Sequence, residues 1–445
     1  MSINPNCRRL TALAAAALLA ACGGGNGTDA NDPRTTPAGA CLALPAEITW
    51  HRDTLSSEWT DVLVDGRGRL WIAGWTNGTV GQTNIEPAGD SRGVLRALGA
   101  DGGLLWDAGR QFDTPGSDSL EAIALSATGT VYVAGRTTGS LGGTPNAGQF
   151  DSFVAWSDNA GDGTPWRSFQ TGSASPQHPR RLAVDKRGGV VLAGEDDDFV
   201  PDNHVQAWTD AYAWRAQRLD AGTATDRLSL AWSWQAGSPE SDVGGGLAVM
   251  PGSAGGATFV TGANQGGDAR GMVLRKLDSQ GQPLWTARYT TSPVDHIAVV
   301  RVLSDGTLVM GGTVFGAFHG GVAVGQQDVF VARVRADDGQ LLQSWQFGST
   351  EADWLADLQV DAAGNIIVFG ETNGRFVAGT APAGDADLFL LKLAPDGHVL
   401  AARQWGTAAD ERANRVALDR CGSVVAVGSS GSLSRRDALL WFWRP

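Results

Sequence analysis

"VDAAGNIIVFGETNG" spans Val360 to Gly374, and "VDGRGRLWIAGWTNG" spans Val64 to Gly78. Both carry a turn glycine, a short β-rich segment and a second glycine six residues after the first. The pattern recurs as Gly68/Gly74, Gly129/Gly135, Gly188/Gly194, Gly256/Gly262, Gly306/Gly312, Gly364/Gly370 and Gly422/Gly428. A short apolar run precedes each pair, ending near Val64, Leu125, Val184, Val249, Val302, Val360 or Leu418. Two apolar runs joined at a glycine read as a hairpin. The first glycine supplies a positive φ, and the second ends the strand where a side chain would crowd a neighbour. One such pair means nothing; seven at spacings of 50 to 68 residues define a repeat.

A variable loop follows each hairpin, then a third strand such as "VFVARVRAD" (Val329 to Asp337) or "LFLLKLAPD" (Leu388 to Asp396). Tight turns lead to fourth strands reading "LLWDAGRQF", "PWRSFQTG", "LAWSWQAG", "LWTARYT", "LLQSWQFG" and "LAARQWG". Four short strands per repeat is the composition of a propeller blade. The predicted fold is therefore all-β, a seven-bladed β-propeller with four antiparallel strands per blade over residues 48–445. The seventh repeat stops at "ALLWFWRP" without a fourth strand, while "ITWHRDT" (Ile48 to Thr54) stands unpaired before the first hairpin. Pairing that segment onto the last third strand closes the ring and buries two open edges.

The pattern "GSTEADWLADLQVDAAGNIIVFGETNG...GDADLFLLKLAPDG" closely resembles the SBBP repeat of bacterial seven-bladed propeller proteins. The resemblance covers roughly residues 48 to 445, is strongest in the sixth repeat, and departs most in the third, at "EDDDFVPDNHVQAW". It implies the fold and transfers no catalytic residue.

At the other end, Arg8 and Arg9 precede an apolar run from Leu10 to Ala21 that is too short to span a bilayer. Leu19-Ala20-Ala21-Cys22 resembles the lipobox of bacterial lipoproteins, which makes residues 1–21 a cleaved signal peptide and Cys22 the acylated anchor. Gly23, where Asp would retain a lipoprotein at the inner membrane, implies an outer-membrane lipoprotein of the cell envelope, periplasmic or surface-facing. Residues 22–47 then form the lipidated cysteine and a flexible tether. With Cys7 discarded and Cys22 acylated, Cys41 and Cys421 are the remaining thiols in an oxidising compartment, so a disulfide is expected between them.

Composition excludes several functions. With 61 Gly, 17 Trp and 18% charged residues, the chain is turn-rich and poor in the Lys/Glu usage of helical proteins. A formal net charge of -13 without a basic patch argues against nucleic acid. The six histidines, 51, 178, 204, 296, 319 and 398, show no zinc spacing, and neither a nucleophile elbow nor a phosphate loop is present. No cofactor is expected beyond Ca2+ at the acidic loops "DNAGDG" (Asp158 to Gly163) and "EDDD" (Glu195 to Asp198), whose alternative reading is simple solvation.

Two sets of residues remain as candidate sites. Seven positions before the end of each inner strand lie Asp118, Asp242, Asp295, Asp353 and Glu411, with Ser57 and Gln177 in the other repeats. They either cap interblade turns or form a channel-mouth carboxylate ring that attracts cations. The loops between second and third strands share that face and carry Trp75, Phe199, His204, Trp208, Phe315, Phe318 and Phe376, either as ligand anchors or folded over the strand ends. The reading is a monomeric, non-catalytic binding or scaffold protein whose partner, a protein or glycan, docks on this face. It touches the membrane only through its lipid. The alternative is an envelope polysaccharide lyase or hydrolase with its site at the channel mouth.

Overall fold

The hairpin geometry that the glycine spacing predicts is present in every repeat. Gly364 sits at φ 83° in its turn, and a side chain on Gly370 would collide with the carbonyl oxygen of Trp354. The computed structural model describes residues 41–50, 56–78, 91–105, 110–158, 160, 165–185, 188–198, 208–219, 227–236, 242–250, 256–264, 271–289, 295–432 and 435–444. Among these residues the strands pair into seven four-stranded antiparallel sheets. The first six lie at 57–112, 118–171, 177–236, 242–289, 296–347 and 353–405. The inner strand of each sheet packs on the next sheet, and the inner strand of the first, Ser57–Val64, packs on that of the last, Asp410–Leu418. The chain is an all-β propeller of four-stranded blades.

Closure comes from the N-terminal side, as the sequence predicts. Glu47–Trp50 pairs antiparallel with Arg435–Trp443, setting Ile48 opposite Leu440, and becomes the outer strand of the last sheet. Residues 51–54, over which the predicted strand continues, lie outside the described residues. Residues 42–46, which the sequence assigns to a flexible tether, are docked on the propeller. Leu42 and Leu44 are buried in a core with Val62, Leu70 and Leu440. Leu42 N donates to Asp419 at 2.9 Å, Ala43 N to the Ala100 carbonyl at 2.7 Å, and Phe442 N to the Ala46 carbonyl at 2.8 Å. Each buried leucine contributes about 1.5–3 kcal/mol, which outweighs the about 1–2 kcal/mol needed to order one residue. The pair stands in a short Pro-, Gly- and Ala-rich stretch without strand periodicity, which hid this docking in the sequence.

Blades also interlock along the outer edge. The fourth-strand tryptophans pack on the turn glycine of the following sheet, so that a Cβ at Gly281, Gly339 or Gly397 would strike Trp232, Trp285 or Trp345 respectively.

The predicted disulfide is formed. Cys41 and Cys421 are bonded with their Cα atoms 5.8 Å apart and 380 residues apart in sequence. Cys421 lies in the first-to-second strand turn of the last sheet, which Asp419 organises by accepting from Cys421 N at 2.9 Å and Ser423 N at 2.7 Å. The bond therefore ties the closing segment to the sheet it completes. Replacing both cysteines by serine should lower stability by about 2–4 kcal/mol, read as a lower denaturant midpoint under non-reducing conditions. An unchanged midpoint would show that strand pairing alone holds the seam.

Candidate binding site at the channel mouth

The acidic positions of the inner strands sit where one blade passes into the next, and four of them are buried. Asp118 accepts from Thr114 N at 2.6 Å, Asp353 from Ser349 N at 2.5 Å, and Glu411 from Thr407 N at 3.0 Å. Each carboxylate thus caps the turn four residues upstream, while Asp295 accepts from Phe315 N at 2.6 Å in the loop of its own sheet. Ser57 Oγ accepts from Ala438 N at 3.2 Å and Gln177 Oε1 from Ser152 N at 3.3 Å, so the two exceptions also bridge to backbone. The side chain of Asp242 lies outside the described residues. Among the described residues no three His, Cys, Asp or Glu side chains form a metal-ligand cluster. At the two acidic loops, Asp158 pairs with Arg167, and Glu195 pairs with Arg180 at 3.0 Å.

A second carboxylate–amide device, legible in "FQTG", "WQFG" and "RQWG", shapes the long loops. Gln170, Gln346 and Gln404 of the fourth strands donate to Asp151, Asp328 and Asp387 of the third strands at 2.8, 2.7 and 3.0 Å. Their oxygens accept loop N–H groups from Leu141, Phe318 and Phe376 at 2.7, 2.8 and 2.9 Å. The loops are pinned, and their aromatics turn inward. Phe318 is buried with its ring centroid 4.3 Å from that of Phe330, and Phe376 stacks on Phe389 at 3.9 Å. Of the seven predicted anchors, these two instead cover strand ends, because an aromatic face gains more from burial than from solvent. Trp75 is half-buried and Phe315 is exposed. Phe199, His204 and the side chain of Trp208 lie outside the described residues.

The channel itself holds charge that the sequence reading missed. Each inner strand has a register shift, after Trp59, Leu120, Pro179, Gly244, Ile297, Leu355 and Ala413. A bulge re-aims the residue that follows, and Asp61, Arg181, Asp357 and Arg415 occupy these equivalent positions. Arg181 reaches from the third sheet past the glycines of the fourth to the carbonyl of Ala298 in the fifth at 3.1 Å. It also faces Asp357 of the sixth sheet at 3.5 Å, which Arg301 contacts at 2.8 Å. Arg415 donates to the Arg180 carbonyl at 2.9 Å, and Asp61 accepts from Ile123 N at 2.7 Å. Burial, with repulsion from Arg415 and Arg301, lowers Arg181 to about 9, so it stays charged at neutral pH. Counting four positions beyond Ser57, Gln177, Asp353 and Glu411 would have found all four bulge residues.

Beside this charged network, a cavity of about 450 Å³ opens between the sixth and seventh sheets on the long-loop face. Trp354, Glu371, Asn373, Asp385, Asp410 and Arg412 line it. Trp354 and Arg412 stand one residue after the acidic caps and ahead of the inner-strand bulges, and Glu371 follows the second glycine of its hairpin opposite Trp354. Glu371 accepts from Ala413 N at 2.8 Å and lies 3.9 Å from Arg412. Burial raises its carboxyl to about 6, against the lowering effects of the Ala413 hydrogen bond, Arg412 and Arg436. In the other five repeats the positions of Trp354 and Arg412 hold Glu58, Ser119, His178, Val243 and His296. This variability beside constant caps was the available signal.

No protein-family model matches the chain, and no curated protein is similar to it in sequence. Solved structures are similar in fold. "YCF48 bound to D1 peptide" is 13% identical with a TM-score of 0.45 over 93% of this chain and 98% of that one. Sqt1 from Chaetomium thermophilum is 11% identical with a TM-score of 0.47 over 88% of each chain. The polysaccharide lyase Uly1 is 10% identical with a TM-score of 0.43 over 84% of this chain and 87% of that one.

Burial raises Asp353 as well to about 6. A carboxyl whose folded value exceeds its unfolded one binds protons more readily in the native state, so it adds stability as pH falls through the folded value. Between about pH 6 and pH 4, Asp353 and Glu371 should therefore favour the native state increasingly. The denaturant midpoint should rise from pH 7.5 to pH 5, and Asp353→Asn should shrink that rise. Equal pH dependence in the variant and the parent would contradict the assignment.

Proposed function

We propose that the chain is a seven-bladed, SBBP-type propeller tethered through acylated Cys22 to the outer membrane, where it binds an envelope glycan or protein without catalysis. The cavity between the sixth and seventh sheets carries this reading. It combines an indole wall with acceptors, a donor and an amide on the face where the loops are pinned. The seven four-stranded sheets support the blade count, and a disulfide fits an oxidising compartment. The bond sits at the tight-turn face, so the tether would leave opposite the cavity and turn the cavity away from the membrane. One observation favours the enzymatic alternative: Glu371, raised to about 6 beside Asp410, has the value of a general acid.

Two variant sets test the proposal. Cys22→Ser should move the protein from the membrane to the soluble fraction; retention in the membrane would remove the anchor. In affinity capture from solubilised membranes, Trp354→Ala with Arg412→Ala should abolish capture while circular dichroism stays unchanged. Arg335→Ala with Asp338→Ala, on the opposite face, should leave it intact. The reverse pattern would move the site to the tight-turn face. For any bound glycan, turnover by the parent protein that Glu371→Gln abolishes would establish the enzymatic reading.

A further inference from the structure

Resting on the cavity as the binding site, we propose that its ligand is a saccharide, neutral or amine-bearing, and that acidic glycans are rejected. Trp354 supplies a flat apolar wall, and the other apolar lining consists of Leu355 and alanines. That lining makes a shallow floor without the deep hole that a protein's aromatic or aliphatic anchor fills. At about 450 Å³ the cavity is toward the lower end of ligand sites, a size suited to one or two rings.

Its polar groups are complementary to hydroxyls. A hydroxyl both donates and accepts, and the cavity offers it carboxylates that only accept, a guanidinium that only donates, and an amide that does both. Asn373, Asp385 and Arg412 are solvent-exposed at the rim, whereas Glu371 is anchored by its hydrogen bond from Ala413 N. The rim can therefore adapt while one wall stays fixed. A sugar laid on Trp354 presents its C–H face to the indole and its hydroxyl edge to these groups.

Charge supplies the specificity. Glu371, Asp385 and Asp410 share the lining with one guanidinium, Arg412, and Arg436 also acts on Glu371, so carboxylates still outnumber the cations around the cavity. A uronate or phosphorylated sugar would place another anion among three carboxylates, and like-charge juxtaposition excludes wrong partners. An amino group would instead meet an excess of acceptors and an indole face suited to a cation.

Calorimetry on the full mature protein tests this with chitotetraose, cellotetraose, tetraglucosamine and tetragalacturonate as probes. At least one of the first three should bind, and tetragalacturonate should bind at least about tenfold more weakly. Trp354→Ala should weaken the productive probe at least about tenfold, and Asp385→Lys should narrow the discrimination against tetragalacturonate. Tighter binding of tetragalacturonate, or no binding by any of the other three, would overturn the ligand class. A peptide or protein captured through Trp354 and Arg412 would overturn the saccharide while leaving the cavity as the site. Saccharide binding indifferent to Trp354→Ala would remove both.

Discussion

The fold depends on one seam. Six sheets are each built from consecutive strands, but the seventh is completed by Glu47–Trp50, which arrives from the other end of the chain to pair with Arg435–Trp443. A propeller leaves no free inner edge only when its first and last blades meet, and the meeting here is reinforced three ways. Leu42 and Leu44 are buried beside the strand, Asp419 holds the backbone of Leu42, and Cys41 is bonded to Cys421. A break at this point would free the edge of a hydrophobic strand, the surface from which β-proteins aggregate.

Inside the closed ring, one sheet reaches another through the channel rather than only through its neighbours. The bulges aim Asp61, Arg181, Asp357 and Arg415 inward, and Arg181 bonds to the fifth sheet across the fourth. Buried ion pairs of this kind contribute little to net stability, since desolvation offsets attraction. Removing one partner is another matter, because it strands a charge. The network ties together sheets that are not neighbours in the ring, and the cavity lies beside it.

Strand order, the turn glycines, the closing strand and the disulfide were all legible in the sequence, because each follows from periodicity or from pairing what is left over. Asp118, Asp353 and Glu411 were legible as a set, and their role as turn caps was one of two readings that the pattern allowed. The direction of Phe318 and Phe376 was not legible, since it depends on glutamines in a different strand that pull the loop inward. Nor was the cavity. Trp354, Glu371 and Arg412 come from two adjacent sheets, and their meeting depends on the angle between blades, which no local pattern encodes.

The cavity lies against the seam sheet: Asp410 and Arg412 belong to the last sheet, Trp354 and Glu371 to the one before it. The geometry of the site is thus set by the same closure that completes the ring. Amide hydrogen exchange, read strand by strand in the chain shortened by deletion of residues 41–50, tests this most directly. The account predicts that protection falls in Arg435–Trp443, Val424–Ser432 and Asp410–Leu418, and that it persists in the third and fourth sheets on the far side of the ring. Protection unchanged in the last sheet would contradict it.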